Sequence, residues 1–294
     1  MIYSGAQHHA DGLITPREPM SHASRLVAAL VVGCLSLASR AGAVEPGASE
    51  RPASSRQVAG NASSVCWLTG YRFHLGAASV RSDDPRFHWD ASLGGDVDLV
   101  DYRIGRINFL ADYEVMVGSE FRTIDPNQGA YRFDLLTSLR VGRAEVQSVY
   151  GHVSRHLSDR ASRTGVSWNS AGAVVTTTYG GRAATAKLNV RGAKILQAAF
   201  VDYAWRLGAG VDMEHRLSRR AALVARGDVE SVLVDRRIAG RATQVGAKIE
   251  GGMRLCGTGA GVEVFAAWER RVDPYPLERA TLSWALLGFR FVNR

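Results

Sequence analysis

The chain has 294 residues, a net charge of +8 and a hydrophobic content of 46%, so it is long enough for one or two domains. No apolar run approaches the roughly 20 residues that a membrane-spanning helix needs, which argues against a helical membrane protein. Most of the excess positive charge is arginine, scattered singly rather than clustered, and this pattern argues against nucleic-acid binding.

The N-terminus has the features of an export signal. A basic residue precedes an apolar run at residues 26–37, and an Ala-x-Ala motif follows. These three parts define a secretory signal peptide. We therefore predict an N-terminal extension plus signal peptide over residues 1–43, cleaved after Ala43. A flexible periplasmic linker is predicted over residues 44–64, and a single exported domain over residues 65–294.

Residues 130–159 show the pattern that the exported domain repeats. Every second position of residues 131–141 is mostly apolar, and the positions between include Arg132 and Asp134. A second alternating stretch follows a two-residue break at 142–143. A period of two is typical of a strand with one apolar and one polar face. The segment is therefore predicted to be a β-hairpin.

Similar stretches recur along the whole domain. The clearest strands are predicted at residues 65–78, 89–101, 103–118, 130–142, 144–157, 198–216, 220–233, 244–256, 261–271 and 280–292. A further pair near residues 171–179 and 183–190 makes twelve strands, or ten if that pair is a loop excursion. Short and long connections alternate, as in transmembrane barrels. The predicted fold is all-β, an antiparallel up-and-down transmembrane β-barrel of about 12 strands (alternative 10).

These features resemble those of bacterial outer-membrane β-barrel proteins as a class, and the resemblance covers residues 65–294. The signal peptide, the alternating strands and the closing pair Phe289-x-Phe291 carry it. The resemblance implies a place in the outer membrane of a Gram-negative cell and contact with outer-membrane lipid and lipopolysaccharide. It also implies insertion by the barrel-assembly machinery, which reads a closing aromatic pair as a signal. Three residues follow the pair here, whereas the signal usually ends the chain.

The run from Tyr150 to Asp159 holds the sharpest candidate for chemistry. Alternation puts His152, Ser154 and His156 on one face of one strand, with about 6–7 Å between successive members. A serine beside a histidine can act as nucleophile and base when a third group orients the imidazole. The run also resembles a His-x-Ser-x-His-Leu-x-Asp run in uncharacterised barrel proteins of unknown function.

His152 and Ser154 are similar to the His-x-Ser pair of the outer-membrane lipid A deacylases, barrel esterases in which a glutamate completes the site. This resemblance implies hydrolysis of outer-leaflet lipid. Arg155 replaces the asparagine that usually follows the serine, and Val166 stands where the glutamate is expected. If the valines of this strand face outward, strand alternation places His152 and Ser154 in the lumen. The corresponding pair of the deacylases faces lipid.

A second set of polar residues occupies the inward positions of three predicted strands. We call them the predicted lumen charges: Asp96, Asp98, Arg106, Asp112, Glu114, Arg132, Asp134 and Arg140. Five acids and three bases on neighbouring strands can pair, and paired groups can fill a narrow barrel. The same set would also suit a selective pore or a small-ligand site.

Three functions therefore remain open. The preferred interpretation is an integral outer-membrane barrel with a charged, largely side-chain-filled lumen and a structural or ligand-binding role. The alternatives are a narrow, porin-like channel for small solutes and an outer-leaflet lipid hydrolase that uses Ser154 and His152. No metal, cofactor or nucleic-acid partner is predicted, and enzymatic activity is not the favoured interpretation.

Overall fold

The computed structural model describes residues 65–160, 165–235 and 240–293. The predicted signal peptide and linker, residues 1–43 and 44–64, lie outside the described residues. Twelve strands make up most of the described chain. Their bounds are β1 Cys66–Arg81, β2 Trp89–Asp101, β3 Arg106–Gly118, β4 Asp125–Val141, β5 Ala144–Leu157, β6 Val166–Gly180, β7 Ala184–Ala199, β8 Tyr203–Arg216, β9 Ala221–Val234, β10 Gln244–Cys256, β11 Ala260–Val272 and β12 Thr281–Asn293.

The twelve strands form a closed barrel. Each strand pairs with its neighbours in sequence, and β1 pairs antiparallel with β12. The closing register runs from His74 opposite Val292 to Arg81 opposite Ala285. Closure pairs the two strands that would otherwise expose free sheet edges. The predicted all-β, up-and-down barrel is confirmed, with twelve strands rather than ten.

Several predicted boundaries were wrong, among them those of the pair near residues 171–179 and 183–190, which is observed as Val166–Gly180 and Ala184–Ala199. The segment 198–216, predicted as one strand, is divided between the end of β7 and the start of β8, and Phe200 has a φ of 60° in the turn between them. β4 begins at Asp125 instead of residue 130, which shortens the predicted long loop. A register shift next to Val117 lets Pro126 continue the pairing with β3 there, and strand periodicity does not reveal such shifts.

Connections differ in length between the two ends of the barrel. Turns at one end comprise residues 102–105, 142–143, 181–183, 217–220 and 257–259. Connections at the other end comprise residues 82–88, 119–124, 158–165, 200–202, 235–243 and 273–280. All of the second group except 200–202 are longer, so we call that end the outer end, by analogy with transmembrane barrels.

The strands present apolar side chains outward and polar ones inward. On β11, Val264 and Trp268 are 52% and 45% exposed, whereas Glu263 and Glu269 are 0% and 9% exposed. Exposed apolar side chains of the outer wall include Tyr71, Phe73, Leu75, Leu93, Phe109, Phe133, Leu135, Ile249, Leu287, Phe289 and Phe291. A belt of this size favours lipid over water. Within the described ranges, no helix is long and apolar enough to cross a membrane.

An ion-pair cluster lies in the lumen among β9, β10, β11 and β12. Its centre is Glu263, whose carboxylate receives bonds of 2.6–3.0 Å from Arg226, Arg254 and Arg290. Glu250 lies beside it and bonds to Arg226 at 2.5 Å and to Arg290 at 3.0 Å. Buried charges are tolerated when each is paired and hydrogen-bonded, as these are.

A second cluster crosses the lumen nearer the outer end. Arg271 of β11 bonds to Glu269 at 2.8 Å, to Asp90 of β2 at 2.6 Å and to Glu114 of β3. Because β11 is not a neighbour of β2 or β3, two of these bonds span the lumen. The two clusters therefore occupy part of the lumen with paired side chains, and a cavity of about 230 Å³ remains beside Arg226, Glu250 and Arg290.

The predicted lumen charges have partners that the sequence analysis did not foresee. Two pairs form within the set, Asp98–Arg106 at 3.0 Å and Arg132–Asp134 at 2.6 Å, and the second joins residues of one strand rather than neighbours. The other pairs reach outside the set, as in Arg72–Asp96, His74–Asp112, Arg106–Glu145, Arg140–Asp101 and Arg271–Glu114. Barrel closure brings Arg271 of β11 to Glu114, and Arg106 of β3 reaches past β4 to Glu145 of β5. Strand patterns alone do not give that proximity.

Candidate active site

A polar patch interrupts the apolar outer wall on β5, β6 and β7, towards the outer end. We call it the wall patch, and its members are His152, Ser154, His156, Ser167, Asn169 and Gln197. Strand pairing sets its orientation, because His152 lies opposite Phe133. Directly paired residues point to the same face of a sheet, and Phe133 is 42% exposed on the outer wall. The wall patch therefore faces the lipid.

The predicted inward orientation of the histidines and serine of β5 was wrong. Val149 and Val153 pair with Leu136 and Arg132, whose side of β4 faces the lumen. Val153 packs inside against the buried cluster that contains Trp168. The amphipathic pattern of the outer half of β5 is thus the reverse of that of β4. The assumption that the valines face lipid fails here because this stretch of the lumen is apolar and the wall outside it is polar.

Ser154 is hydrogen-bonded to a histidine on its own strand. Its Oγ lies 2.7 Å from Nε2 of His156. The His156 ring stands edge-on to Tyr131, with 6.0 Å between ring centroids, and Tyr131 in turn stacks on Tyr113 at 4.8 Å. Aromatic packing of this kind restricts the rotation of the imidazole. The hydroxyl and the imidazole are therefore held as a preformed pair.

His152 is oriented from the neighbouring strand. Its Nδ1 lies 2.7 Å from Oδ1 of Asn169, directly opposite on β6. Nδ2 of Asn169 donates to Oε1 of Gln197 on β7 at 3.2 Å. An amide oxygen can only accept, so in this arrangement His152 carries its proton on Nδ1 and presents the lone pair of Nε2. The wall patch thus holds a hydroxyl bonded to one imidazole and a second imidazole bonded to an amide, and these are residue types that serine hydrolase sites use.

Sequence reasoning missed Asn169 and Gln197. The predicted strand at 171–179 began too late to include Asn169, and residue 166 was the position inspected for a carboxylate partner. A signal was present, because Ser167-x-Asn169 repeats on β6 the polar alternation of β5. Gln197 lies next to a bulge in which Leu196 has no partner on β6. That bulge shifts the alternation by one residue, so no periodic pattern would have placed Gln197 on the outer wall.

The polarity of the wall patch is itself informative. Lipid offers no hydrogen bonds, so polar side chains on a lipid-facing wall are unfavourable and are concentrated at functional positions. On the same face of β4, next to the patch, stand Tyr131, Phe133 and Leu135. Because β4 is apolar on this face and the adjacent wall patch is polar, we interpret the polar side chains of the wall patch as having a specific role.

Arg155 lies between Ser154 and His156 but points to the lumen side. Its guanidinium donates at 2.7 Å to the backbone carbonyls of Asp273 and Pro274 in the last outer connection. This bond anchors the outer end of β5 to residues 273–280. The strand that carries the serine is therefore fixed from inside the barrel as well as from its two neighbours.

A buried ion cluster, the outer clasp, joins three outer connections. Arg241 donates to Asp202 at 2.7 Å and to Asp273 at 2.7 Å. Tyr203 adds a bond of 2.7 Å from its hydroxyl to Asp273. Burial opposes ionisation of Asp202, but the bonds from Arg241 outweigh it and lower the pKa of Asp202 below its ordinary value of 3.8.

Among the described residues, no group of three or more His, Cys, Asp or Glu side chains is arranged to hold a metal ion. The wall patch offers two imidazoles and neutral oxygen groups, and it contains no carboxylate.

The closed barrel with its lipid-facing belt is the fold of bacterial outer-membrane β-barrel proteins. No protein-family model and no curated protein matches the sequence. Solved structures of similar fold include outer membrane phospholipase A from Escherichia coli, with 9% identity and a TM-score of 0.49 over 78% of this chain and 98% of that chain. OmpT of Vibrio cholerae has 8% identity and a TM-score of 0.40, over 80% and 98% of the two chains. LpxR from Salmonella typhimurium has 8% identity and a TM-score of 0.44, over 76% and 99%.

Proposed function

We propose that the protein hydrolyses acyl esters of outer-membrane lipids, with Ser154 as the nucleophile. One observation carries the proposal: Ser154 and two imidazoles lie together on the lipid-facing wall, and one of the imidazoles is oriented by Asn169. A lipid ester reaches this wall directly from the bilayer. The lipid-hydrolase alternative is thereby favoured over the structural or ligand-binding role that the sequence alone suggested.

The proposed mechanism gives each side chain one task. Ser154 Oγ attacks the ester carbonyl while Nε2 of His152 takes its proton, and the imidazolium then gives that proton to the departing alcohol as the ester C–O bond breaks. Water next attacks the acyl-serine with His152 again as base, which releases the fatty acid and restores the Ser154 hydroxyl. Asn169 accepts from Nδ1 of His152 and so stabilises the tautomer and the imidazolium that forms, as the third member of a triad does. A hydroxyl can accept one hydrogen bond while donating another. In the structure Oγ bonds His156 and His152 bonds Asn169, so the mechanism requires the serine hydroxyl to turn its proton toward Nε2 of His152 while it accepts from Nε2 of His156.

The resemblance to the lipid A deacylases gains support from the outward orientation of His152 and Ser154, because this removes one of the three differences from that family. The departures at Arg155 and Val166 remain. In the proposed site Asn169 does the orienting that the deacylase glutamate was expected to do, and Arg155 is engaged with the last outer connection. The substrate is accordingly proposed only as an acyl ester of a membrane lipid, with lipopolysaccharide and glycerophospholipid as the two sources to be separated by experiment.

The lumen supports a different function less well. Its ion pairs bridge strands that are not neighbours, as Arg271 and Glu114 do, and Glu263 is fully buried among three arginines. Such pairs suit a structural interior better than a conducting path. We therefore propose that the lumen charges stabilise the barrel and that the wall patch carries the activity.

The test is mass spectrometry of lipids extracted from cells that express wild type or Ser154→Ala. Wild type is expected to produce lipid A or glycerophospholipid that lacks one acyl chain, and the variant is expected not to. Which lipid loses the chain identifies the substrate. Unchanged lipid profiles, with both proteins present in the outer membrane at equal amounts, would contradict the proposal.

A further inference from the structure

The hydrogen bonds of the wall patch extend beyond the three groups that a hydrolase site requires. Gln197 of β7 accepts from the amide of Asn169 at 3.2 Å, and Asn169 accepts from His152 at 2.7 Å. The three side chains lie on three adjacent strands at paired positions. They form one continuous chain of hydrogen bonds across the wall, which we call the amide relay.

The direction of the amide relay determines which nitrogen of His152 carries the proton. When Gln197 presents its oxygen, Asn169 turns its NH2 group toward Gln197 and its oxygen toward His152. His152 is then protonated on Nδ1 and basic at Nε2. If both amides were reversed, the Asn169 NH2 would face Nδ1, the proton would lie on Nε2, and that nitrogen could not accept the serine proton. In the structure the relay has the first direction.

We infer that Gln197 is a positioning residue for this site and that it acts through Asn169 to keep His152 in the basic tautomer. The inference rests on the proposed function for its catalytic consequence, but the tautomer can be measured independently. The wall faces lipid, where water is not available to replace a lost partner of Asn169. The bulge at Leu196 supports the inference, because it brings a polar side chain to a position that would otherwise be apolar.

Two substitutions of Gln197 test whether the direction of the hydrogen bonds in the amide relay matters, and not only whether the bonds exist. Gln197→Glu keeps an acceptor and removes the donor, so only the active direction remains. Gln197→Met keeps a side chain of similar size and removes both hydrogen-bonding groups. Val190→Ala, on the same face of β7 but away from the patch, is the matched control. Correct folding of each variant is checked by its shift in electrophoretic mobility on heating.

The measurement is the ¹⁵N chemical shift of the His152 ring nitrogens in detergent micelles, assigned by comparison with His152→Ala. Wild type, Val190→Ala and Gln197→Glu are expected to show Nδ1 protonated, and Gln197→Met is expected to show a mixture of tautomers. In parallel, Gln197→Met should lower kcat about tenfold and leave KM unchanged. Removing a partner that orients a functional side chain has effects of this size. Gln197→Glu should have the kcat of wild type.

The inference is overturned if Gln197→Met leaves the His152 tautomer as it is in wild type, or if Gln197→Glu shows the same mixture as Gln197→Met. Failure of the proposed function looks different. In that case the tautomers follow the expected order, but wild type releases no more fatty acid than Ser154→Ala does.

Discussion

At the scale of single residues, the two imidazoles beside Ser154 differ in their surroundings, and this difference predicts unequal effects. His152 is oriented by Asn169, whereas His156 bonds to the hydroxyl itself. Removing a general base costs on the order of 10²–10⁴ in rate. We expect His152→Ala to lower kcat about a thousandfold and His156→Ala about tenfold, measured as fatty-acid release by the purified proteins.

The control for this comparison is His215→Ala, which lies at the inner end of β8 and outside the wall patch. It should have wild-type activity. If His156→Ala were the more damaging change, the roles assigned to the two imidazoles would be reversed, and His156 would be the base.

Glu263 gives the stability prediction at the same scale. It is fully buried and receives bonds from three arginines. Glu263→Gln leaves those cations without their shared charge, and breaking a buried pair costs about 3–5 kcal/mol. The free energy of unfolding in urea with detergent should fall by about that amount. The control is Glu278→Gln. The Glu278 side chain is 51% exposed and pairs with Arg86 in an outer connection, so this substitution should change the free energy of unfolding little. Equal effects would contradict the structural role of the lumen cluster.

At the scale of elements, β5 shows where sequence reasoning succeeds and where it fails. The period of two correctly predicted a strand at residues 144–157. It could not show which face met lipid, because that is decided by pairing with β4, where Phe133 stands opposite His152. Similarly, Asn169 and Gln197 join the site through strand pairing and a bulge. The candidate serine and histidines were therefore predictable from the sequence, whereas their orienting partners were not.

The outer clasp predicts how the outer connections respond to pH. The pKa of Asp202 is lowered in the folded protein, so its bond to Arg241 stabilises the clasp above the ordinary value of 3.8 and is lost as the pH falls below it. Hydrogen exchange of peptides covering residues 200–203 and 273–280 should be slow and constant from pH 7 to pH 5, after correction for intrinsic rates. Protection should be lost only at pH values below 3.8.

Arg241→Met should remove that protection at every pH, because both carboxylates lose the bonds from Arg241 and Asp202 is left with Arg279 at 3.7 Å. Arg122→Met, which affects a different pair of outer connections through Asp125 and Asp159, is the control and should leave these peptides protected. Loss of protection in wild type near pH 6 would contradict the assignment, because the groups responsible would then have to be histidines.

At the scale of the whole molecule, the barrel was largely predictable. Alternating strands, short inner turns and the absence of long apolar runs are sufficient for an up-and-down barrel, and the closing partner of β1 follows once no edge is left free. The lumen pairs were not predictable in detail. Arg271 reaches Asp90 and Glu114 only because closure brings β11 across from β2 and β3.

The same lumen predicts that the barrel does not conduct. Purified protein inserted into a planar lipid bilayer should show no stable conductance in 1 M KCl, with an open porin of known conductance as the positive control. Ion pairs that span the lumen, such as Arg271–Asp90 at 2.6 Å, leave little continuous aqueous path. A steady, protein-dependent conductance would favour the channel alternative and require the lumen charges to be assigned to ion selectivity.

The most direct test of the central claim is fatty-acid release from mixed micelles of detergent and outer-membrane lipid by purified wild type, Ser154→Ala and Ser148→Ala. Ser148 lies on the same face of the same strand but outside the wall patch. Wild type and Ser148→Ala should release fatty acid at equal rates, and Ser154→Ala should release none above background. Equal release by all three, or release by none while all three are folded, would contradict the assignment of the wall patch as a hydrolase site.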